Sequence, residues 1–309
     1  MITMQIITNI TKYDKVPCAA TIGSFDGVHR GHLAMLSELR AAAAIKGLPL
    51  MVVTFATHPR RLFDKECAPF LLTPGSEKLQ LLEAAGVDIC VLLDFDSVMA
   101  AMSAAYFMKE VLAGRLGVQM LAVGYDHHFG KPAPGEGIEQ YVAMGKELGI
   151  EVFGTKPFIA GDVAVSSSAV RRALAAGDAE QAAMLLGRNY TLAGTVVYGA
   201  GIGRVLGFPT ANISPANAEQ ILPLDGVYET DVLVDGRAFK GVMNIGVKPT
   251  VSGKERTLEV HIIDFGGDIY GKEIAVQFVR RLRGEQSFEN INALRFQIEV
   301  DVARVKRGI

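Results

Sequence analysis

The feature that most constrains the fold of this 309-residue chain is a change in periodicity near Gly187. Before that point, short apolar runs alternate with helical patterns, which predict helices after His29, around residues 76–85 and around residues 101–116. Runs such as LMVVTF and ICVLLDF are almost continuously apolar. Buried strands of parallel sheets have this composition, because helices cover both faces of such sheets. Residues 1–186 are therefore predicted to form an α/β domain built on a parallel sheet.

After residue 187 the pattern changes to alternating strands, among them TLAGTVVYG, GVYETDVLV and LEVHIIDF. The pair Asp235-Gly236 lies between two alternating runs and predicts a tight hairpin, because such a turn needs positive φ. A final helix is predicted over about residues 287–305, from apolar residues at helical spacing. Residues 187–309 are therefore predicted to form an antiparallel β-barrel domain with a C-terminal helix.

Composition disfavours several classes of partner. The net charge is −2, with 31 basic and 33 acidic side chains spread along the chain, which predicts neither nucleic acid nor an anionic membrane as a partner. No apolar run approaches the ~20 residues of a spanning helix, and no secretory pattern is present. Cys18, Cys67 and Cys90 are scattered without CxxC spacing, which is typical of a reducing compartment. We expect a cytoplasmic protein.

The strongest chemical signal of the first half is TIGSFDGVHRGHLAML, residues 21–36. A helix N-terminus concentrates unpaired amide donors and positive dipole, so the turn with Gly27 and Gly31 can seat a phosphate. His29 and His32 share one face of the first helical turn. They can donate hydrogen bonds to oxygens that gain charge when an α-phosphate is attacked. A zinc site is disfavoured, because no set of Cys, Asp or His completes four ligands at familiar spacing.

The second half contains a glycine-rich segment, GTVVYGAGIGRVLGFPTANI. Its glycines let backbone amides approach a polyphosphate, which predicts a flap over ATP. The dinucleotide-binding fingerprint is rejected, because these glycines are not expected to open a helix after a strand. In an extended segment Thr210 and Asn212 turn their oxygens to one side. A hydroxyl and an amide carbonyl suffice to anchor Mg²⁺ when nucleotide phosphates supply further ligands.

In TLEVHIIDF, Glu259 and His261 share one face of a strand, and Leu258, Val260 and Ile262 occupy the other. A carboxylate projecting from a barrel wall can accept the proton of a hydroxyl that attacks a γ-phosphate. Glu259 is therefore a candidate general base.

GSFDGVHRGH resembles the signature of the nucleotidyltransferase superfamily, whose helix-start histidines handle the α- and β-phosphates of ATP. More narrowly, the chain from about residue 15 to about residue 305 resembles the bacterial bifunctional riboflavin kinase/FMN adenylyltransferases, also called FAD synthetases. The resemblance implies a nucleotidyltransferase domain with a Rossmann-like parallel sheet over residues 1–186. It implies a riboflavin kinase barrel over residues 187–309.

Further motifs of the first domain carry this resemblance: TFATHP, VGYDHHFGK and SSSAVRRAL. His127 stands where the family usually has Phe, and Ser168 stands where it usually has Thr. The last motif also has a physical basis, since hydroxyls cap a helix and an Arg fork suits phosphate oxygens. The nucleotide- or flavin-binding residues implied here are Gly23, Phe25, Asp26, Gly27, His58, Asp126, Ser167, Ser168 and Arg171.

In the second domain the resemblance assigns the Pro-Thr-Ala-Asn motif to Mg-ATP and the Glu-x-His strand to catalysis. Thr210 and Asn212 would then hold Mg²⁺, and Glu259 would be the base for the riboflavin 5′-hydroxyl. Arg283 and Phe288 fall in the family's flavin-lid segment. The binding residues implied for this domain are Gly201, Gly203, Arg204, Pro209 and Arg283.

The sequence thus predicts an enzyme with two active sites. One converts riboflavin and Mg-ATP to FMN and ADP, and the other joins FMN to the AMP portion of ATP, giving FAD and pyrophosphate. One alternative is an adenylyltransferase for another phosphorylated cofactor precursor, with the β-domain as a binding appendage. A second alternative is a non-catalytic flavin-binding regulator, against which the presence of His29, His32, Asn212 and Glu259 argues.

Overall fold

The computed structural model describes residues 3–64, 69–125, 137–199, 201–250 and 253–308, with residues 248–250 and 253–255 described by their backbone alone. The chain divides into two compact units. One is Met1–Ala68 with Thr73–Ser166, and the other is Pro69–Leu72 with Ser167–Ile309. The units part earlier in the chain than the boundary predicted at residues 186 and 187, which stays a prediction.

The first unit contains a six-stranded parallel sheet of strand order β1-β4-β3-β2-β5-β6. The apolar runs predicted to be buried strands are strands, and every residue of LMVVTF is buried. The strand order reverses between β2 and β5, and ligands of open parallel sheets bind at such a reversal. The strands are β1 Gln5–Ile7, β2 Cys18–Ile22, β3 Leu50–Phe55, β4 Ile89–Leu93, β5 Val118–Val123 and β6 Glu151–Gly154.

Two apolar clusters flank this sheet, one with Leu36, Leu39 and Leu82 and the other with Met108 and Leu112. The first unit also has a 3₁₀ turn at Ile10–Lys12 and a hairpin of β7 Ile159–Ala160 and β8 Val163–Ala164. Its helices are α1 Arg30–Ile45, α2 Arg60–Phe63, α3 Gly75–Ala84, α4 Ser97–Ala101, α5 Ala104–Tyr106, a π-helix Phe107–Leu116 and α6 Ile138–Leu148.

The helix predicted over about residues 101–116 is broken. Met102 is extended, and Ser103 starts a new helix because its Oγ accepts a hydrogen bond from the amide of Tyr106 (3.2 Å). The other predicted helices of this unit are confirmed within a few residues.

After the segment Pro69–Leu72, the second unit contains α7 Ser167–Ala176 and α8 Ala179–Leu186. It continues into a closed six-stranded antiparallel barrel of order β10-β13-β12-β11-β14-β9. Closure leaves no unpaired sheet edge. Tyr228 and Phe278 are fully buried in this unit. The strands are β9 Tyr190–Val197, β10 Ala211–Pro215, β11 Gly226–Val234, β12 Arg237–Thr250, β13 Gly253–Ile262 and β14 Glu273–Arg283, with the one-turn helix α9 Ile202–Val205 between β9 and β10.

The predicted C-terminal helix is α10, Ile291–Arg307. It begins at residue 291 because the side chain of Asn290 accepts hydrogen bonds from the amides of Asn292 (3.1 Å) and Ala293 (3.0 Å). Its buried Val302 belongs to a cluster with Val227 and Val242 of the barrel. The fold class predicted from the sequence is confirmed in both units. Within the described ranges, no helix combines the length and apolarity needed to cross a membrane.

The predicted hairpin between β11 and β12 is confirmed. Asp235 has φ 48° and Gly236 has φ 76°, and the flanking residues Val234 and Arg237 pair across the strands. Two successive positive φ values define the tight turn that matches the twist of antiparallel strands.

We expect Gly236→Ala to lower the free energy of unfolding of the barrel unit by about 1–2 kcal/mol, because an L side chain is strained at this φ. Gly266→Ala is a matched control, since a Cβ there has no atom within 4 Å and the residue is not in the left-handed region. Urea unfolding followed by circular dichroism compares the two variants. Equal losses would contradict this account of the turn.

Candidate active sites

The loop between β2 and α1 has a strained backbone. Phe25 has φ 49°, Gly27 has φ 87° and Val28 has φ 37°. Positive φ is a true outlier for a β-branched residue and persists only where its surroundings fix it. Such strain concentrates at functional sites. The loop also follows β2, beside which the strand order of the sheet reverses.

Two histidines are brought together at the start of α1, as predicted. His29 is buried, and its Nδ1 accepts a hydrogen bond from the amide of His32 (3.3 Å), so His29 caps the helix. The rings of His29 and His32 stack with centroids 3.6 Å apart and an interplanar angle of 12°. Because Nδ1 of His29 accepts, a neutral His29 ring carries its proton on Nε2 and can donate from there.

Neighbouring residues fix this pair of rings. The ring of Phe25 lies 4.8 Å from the ring of His32, centroid to centroid. A Cβ at Gly31 would lie 3.2 Å from Nδ1 of His29 and 3.3 Å from the carbonyl oxygen of Val165. A side chain at position 31 would therefore displace the His29 ring or the Val165 carbonyl by a few tenths of an ångström.

Burial lowers the pKa of His32 well below 6.5, and the proximity of His29 lowers it further. Its Nδ1 is buried without a hydrogen-bond partner in the described part of the chain. The His32 ring is therefore neutral at pH 7 and offers one N–H donor. A neutral donor can stabilise a phosphate oxygen without first losing a proton.

The other predicted residues of this loop lie beside the histidines in sequence and serve its structure. Asp26 is 2% exposed, and its Oδ1 accepts a hydrogen bond from the amide of Thr73 (3.1 Å). The amide of Gly23 donates to the carbonyl of Val53 (3.1 Å). A role of Gly23, Phe25, Asp26 and Gly27 in binding nucleotide stays a prediction.

Three further predictions have different outcomes. His58 follows β3, and its Nδ1 accepts from the amide of Arg60 (3.2 Å) at the start of α2. Asp126 falls on residues 126–136, outside the described residues. Ser167, Ser168 and Arg171 lie in the first turns of α7 in the second unit, where Nε of Arg171 donates to the carbonyl of Phe70 (2.8 Å). Contact of these residues with a nucleotide stays a prediction.

Sequence reasoning missed Lys78. This lysine of α3 is only 9% exposed, and burial lowers its pKa while Cys90 and Asp26 oppose the shift. Its ammonium contacts the carbonyl of Ser24, which belongs to the loop of the histidines. Its burial could have been inferred from its position four residues before Leu82, because residues four apart in a helix share a face. Both residues are buried in α3.

The barrel unit contains a cavity of about 340 Å³ lined by Glu259 and His261. The hydroxyl of Thr210 donates to Oε2 of Glu259 (3.3 Å), and Nδ1 of His261 donates to the carbonyl of Pro209 (2.8 Å). The predicted alternation of β13 is confirmed, since the opposite face is buried: Leu258, Val260 and Ile262.

Asn212 lies opposite Glu259 in the pairing of β10 with β13, so the two side chains share a face of the sheet. A Cβ at Gly199 would overlap the Asn212 amide, so glycine leaves that amide room. Thr210, Asn212 and Glu259 together present a hydroxyl, an amide and a carboxylate, the oxygen ligands that Mg²⁺ accepts. The described residues hold no group of three or more His, Cys, Asp or Glu suited to a metal.

A second cavity of about 580 Å³ shares Thr210 with the first and is also lined by Arg204 and Pro209. On its wall the rings of Tyr198 and Tyr270 stack 4.2 Å apart, and Nη2 of Arg204 lies 3.5 Å from Oη of Tyr270. The sequence contained no signal that these two tyrosines would meet.

The glycine-rich connection between β9 and β10 was expected to open no helix, and this expectation is wrong. Gly201, at φ 71°, starts the single turn of α9. A Cβ at Gly203 would overlap the carbonyl of Phe208, so the turn closes tightly there. Gly201 and Gly203 line the first cavity, and a turn this short offers no extended helix dipole for a dinucleotide.

Arg283, predicted in the flavin lid, lines the first cavity and is held by α10. Its Nε and Nη2 donate to Oδ2 of Asp301 at 3.0 and 2.9 Å. Nε2 of Gln297 donates to the other oxygen of Asp301 (2.9 Å). The guanidinium carbon of Arg283 lies 5.8 Å from the ring centroid of Phe288. Sequence reasoning missed Asp301, because a carboxylate in a polar helix usually faces solvent.

Comparisons with known proteins match both units. The family model described as FAD synthetase matches residues 11–169, and the model described as riboflavin kinase matches residues 186–309. The bifunctional riboflavin kinase/FMN adenylyltransferase of Escherichia coli strain K12 is 40% identical over 302 residues, covering 96% of each chain. This chain belongs to the family of bifunctional riboflavin kinase/FMN adenylyltransferases. The family predicted from the sequence is thereby confirmed.

Two further proteins also match nearly the whole length of this chain. The enzyme of the same description from Pseudomonas fluorescens is 42% identical, over 94% of this chain and 92% of the relative. A crystal structure titled as a macrolide-efflux protein from Streptococcus pneumoniae has a TM-score of 0.89 at 28% identity and covers 99% of both chains. The family assignment thus extends over nearly the whole chain.

We expect the free energy of unfolding of the first unit to fall as the pH drops below about 6.5, the ordinary pKa of an unfolded histidine. Unfolded His32 then binds a proton that folded His32 excludes, because its folded pKa is lowered. Stability is retained above this range and is lost on acidification, by at most about 1.4 kcal/mol per pH unit from this residue. Urea unfolding of wild type and His32→Asn between pH 7.5 and 5.5 tests the expectation. An identical pH dependence in the two proteins would count against it.

Proposed function

We propose that the chain performs two phosphorus-transfer reactions in sequence. The barrel unit moves the γ-phosphoryl group of ATP to the 5′-hydroxyl of riboflavin, giving FMN and ADP. The α/β unit then moves the AMP portion of a second ATP to FMN, giving FAD and pyrophosphate. The observation that carries the proposal is the placement of Glu259 beside Thr210 in a cavity of the unit that the riboflavin kinase model matches.

In the kinase reaction, Glu259 is the proposed general base. As the 5′-oxygen attacks the γ-phosphorus, its proton passes to the Glu259 carboxylate, and the O–H electron pair forms the new O–P bond. The bond between the γ-phosphorus and its bridging oxygen breaks, and ADP leaves with that electron pair. The Thr210 hydroxyl orients the carboxylate by its hydrogen bond (3.3 Å).

Thr210 and Asn212 are the proposed anchors of Mg²⁺, and the room left by Gly199 fits that role. When bound, Mg²⁺ would neutralise charge on the phosphates. Neither anchor is charged, so binding of the metal depends on the nucleotide. The net charge of −2 offers no broad attraction for ATP, so these local groups carry the recognition.

The first cavity is the proposed flavin pocket, because its wall is largely apolar and suits a planar heterocycle. Arg283 and Phe288 belong to this wall. The second cavity is the proposed nucleotide subsite, where Arg204 and Pro209 line the wall near the stacked tyrosines. The apolar residues of the flavin wall are Ile202, Leu206, Phe208, Val227, Val242, Phe288, Leu294 and Ile298.

In the adenylyl transfer, an oxygen of the FMN phosphate attacks the α-phosphorus of ATP, and pyrophosphate leaves with the electrons of the broken P–O bond. His29 and His32 are proposed to donate hydrogen bonds to oxygens that gain charge, so no covalent intermediate is needed. The loop from Gly23 to Gly27 is proposed to contact the phosphates at the start of this helix. His58, Asp126, Ser167, Ser168 and Arg171 are proposed as nucleotide or flavin contacts on the strength of their motifs alone.

The scattered cysteines support a cytoplasmic location, and in the described residues Cys18 and Cys90 are buried free thiols. The match of a riboflavin kinase model to residues 186–309 disfavours an adenylyltransferase whose β-domain is only an appendage.

Two substitutions should separate the activities. Glu259→Gln is expected to lower riboflavin phosphorylation by about 10²–10⁴-fold, the usual contribution of a general base, and to leave conversion of added FMN to FAD intact. His29→Ala is expected to accumulate FMN, because adenylyl transfer falls by about 10²–10³-fold. Chromatography of riboflavin, FMN and FAD over time with purified protein and Mg-ATP measures both steps.

Each variant is expected to retain one of the two activities, and that retained activity shows that the variant is folded. Glu273→Gln, an exposed carboxylate of β14, is the matched control for the glutamate and should leave both activities unchanged. Loss of both activities in either folded variant would refute the assignment of two sites.

A further inference from the structure

Lys78 occupies a position that few lysines occupy. It belongs to α3, is 9% exposed, and its ammonium lies at the carboxyl ends of β2 and β3. Its Nζ donates to the carbonyl of Phe55 (3.0 Å), to Oγ1 of Thr54 (3.3 Å) and to the carbonyl of Ser24 (3.4 Å). Lysine is almost never buried to this degree unless its charge is compensated.

The partners of Lys78 fit the charged form of the side chain. An ammonium has three N–H donors and no acceptor, and three oxygens meet it here. The hydroxyl of Thr54 donates its own proton to the carbonyl of Ser24 (3.1 Å), so its lone pairs remain for Lys78. The buried Asp26 adds an opposite charge nearby. The three N–H donors of the ammonium are therefore matched by three oxygen acceptors.

The contact with Ser24 joins this lysine to the histidine pair. Ser24 immediately precedes the positive-φ stretch that begins at Phe25, and its carbonyl accepts from both Thr54 and Lys78. Phe25 in turn places its ring 4.8 Å from that of His32. A strained loop keeps its shape only if its surroundings fix it. The hydrogen bonds from Thr54 and Lys78 to the Ser24 carbonyl provide such support.

We propose that Lys78 is a positioning residue for adenylyl transfer: by holding the Ser24 carbonyl it keeps Phe25 against His32 and so fixes both imidazoles at the phosphate seat. The inference rests on the proposed function of His29 and His32. Lys78 itself touches no reacting atom in this scheme. A displacement of about 1 Å at a reacting centre can cost about 10²-fold in rate, so a remote anchor can control the reaction.

Lys78→Met tests the proposal, because methionine retains much of the apolar stem and removes the ammonium. We expect kcat for conversion of FMN to FAD to fall about 100-fold, with KM for ATP changed by less than about threefold, because the lost interaction acts in the transition state. Riboflavin phosphorylation should be unchanged. The matched control is Lys109→Met, whose side chain is 70% exposed in the same unit; it should leave both activities unchanged.

A double-mutant cycle distinguishes positioning from a general structural role. If Lys78 acts through His32, adding Lys78→Met to His32→Ala should lower the remaining adenylyl transfer by less than about threefold. If Lys78 only supports the fold, the fold-decrease in adenylyl transfer caused by Lys78→Met should be the same in the His32→Ala background as in wild type. Multiplying effects would overturn the proposal.

Thr54→Val provides a second, milder variant should Lys78→Met fail to fold. It removes one acceptor of the ammonium and one donor to Ser24 and keeps the volume. It should lower adenylyl transfer by about tenfold, the scale of one hydrogen bond to a charged group, and leave kinase activity intact. Full adenylyl transfer in Thr54→Val or in folded Lys78→Met would overturn the proposal. A wild type that makes no FAD from FMN and ATP would instead overturn the proposed function.

Discussion

The turn between β2 and α1 must hold Phe25, Gly27 and Val28 at positive φ, and the arrangement of the first site depends on this constraint. Two hydrogen bonds from other segments of the chain hold the turn. The amide of Thr73 donates to Asp26, and Lys78 donates to the carbonyl of Ser24. With the turn in this shape, α1 begins at Arg30 and is capped by His29, whose ring stacks on that of His32. Hydrogen bonds from Thr73 and Lys78 therefore help to fix the shape of this loop.

The two proposed sites would each bind a negatively charged polyphosphate, but with different groups. Both act on a polyphosphate, yet the chain as a whole carries a net charge of −2. The proposed first site offers a helix start and a neutral imidazole, since burial lowers the pKa of His32. In the proposed barrel site, neutral oxygens lie next to one carboxylate, and a metal ion would supply most of the positive charge. In both cases geometry, more than net charge, has to select the ligand.

Much of the framework was predictable from the sequence because it depends on local patterns. Continuous apolar runs predicted the parallel strands, and Asp235-Gly236 predicted a hairpin whose two φ values are positive. The alternation around Glu259 predicted which face of β13 is buried. His29 and His32 were found because residues three apart in a helix share a face.

The remaining features depend on contacts between residues far apart in the chain. Lys78 reaches Ser24 from another helix, and Asp301 reaches Arg283 from α10. No local periodicity distinguishes such a lysine or aspartate from one that faces solvent. The break before α5 was also missed, because the cap at Ser103 competes with an apolar pattern that continues across it.

The bond between Arg283 and Asp301 has a consequence for folding during synthesis. Translation produces α10 after every strand of the barrel, yet α10 supplies the carboxylate for Arg283 and the apolar cover for Val227 and Val242. A nascent chain that has completed its strands but not this helix exposes an apolar surface and leaves a guanidinium without its partner. The wall of the first cavity is thus among the last features to form on the ribosome, whereas the α/β unit can fold while synthesis continues.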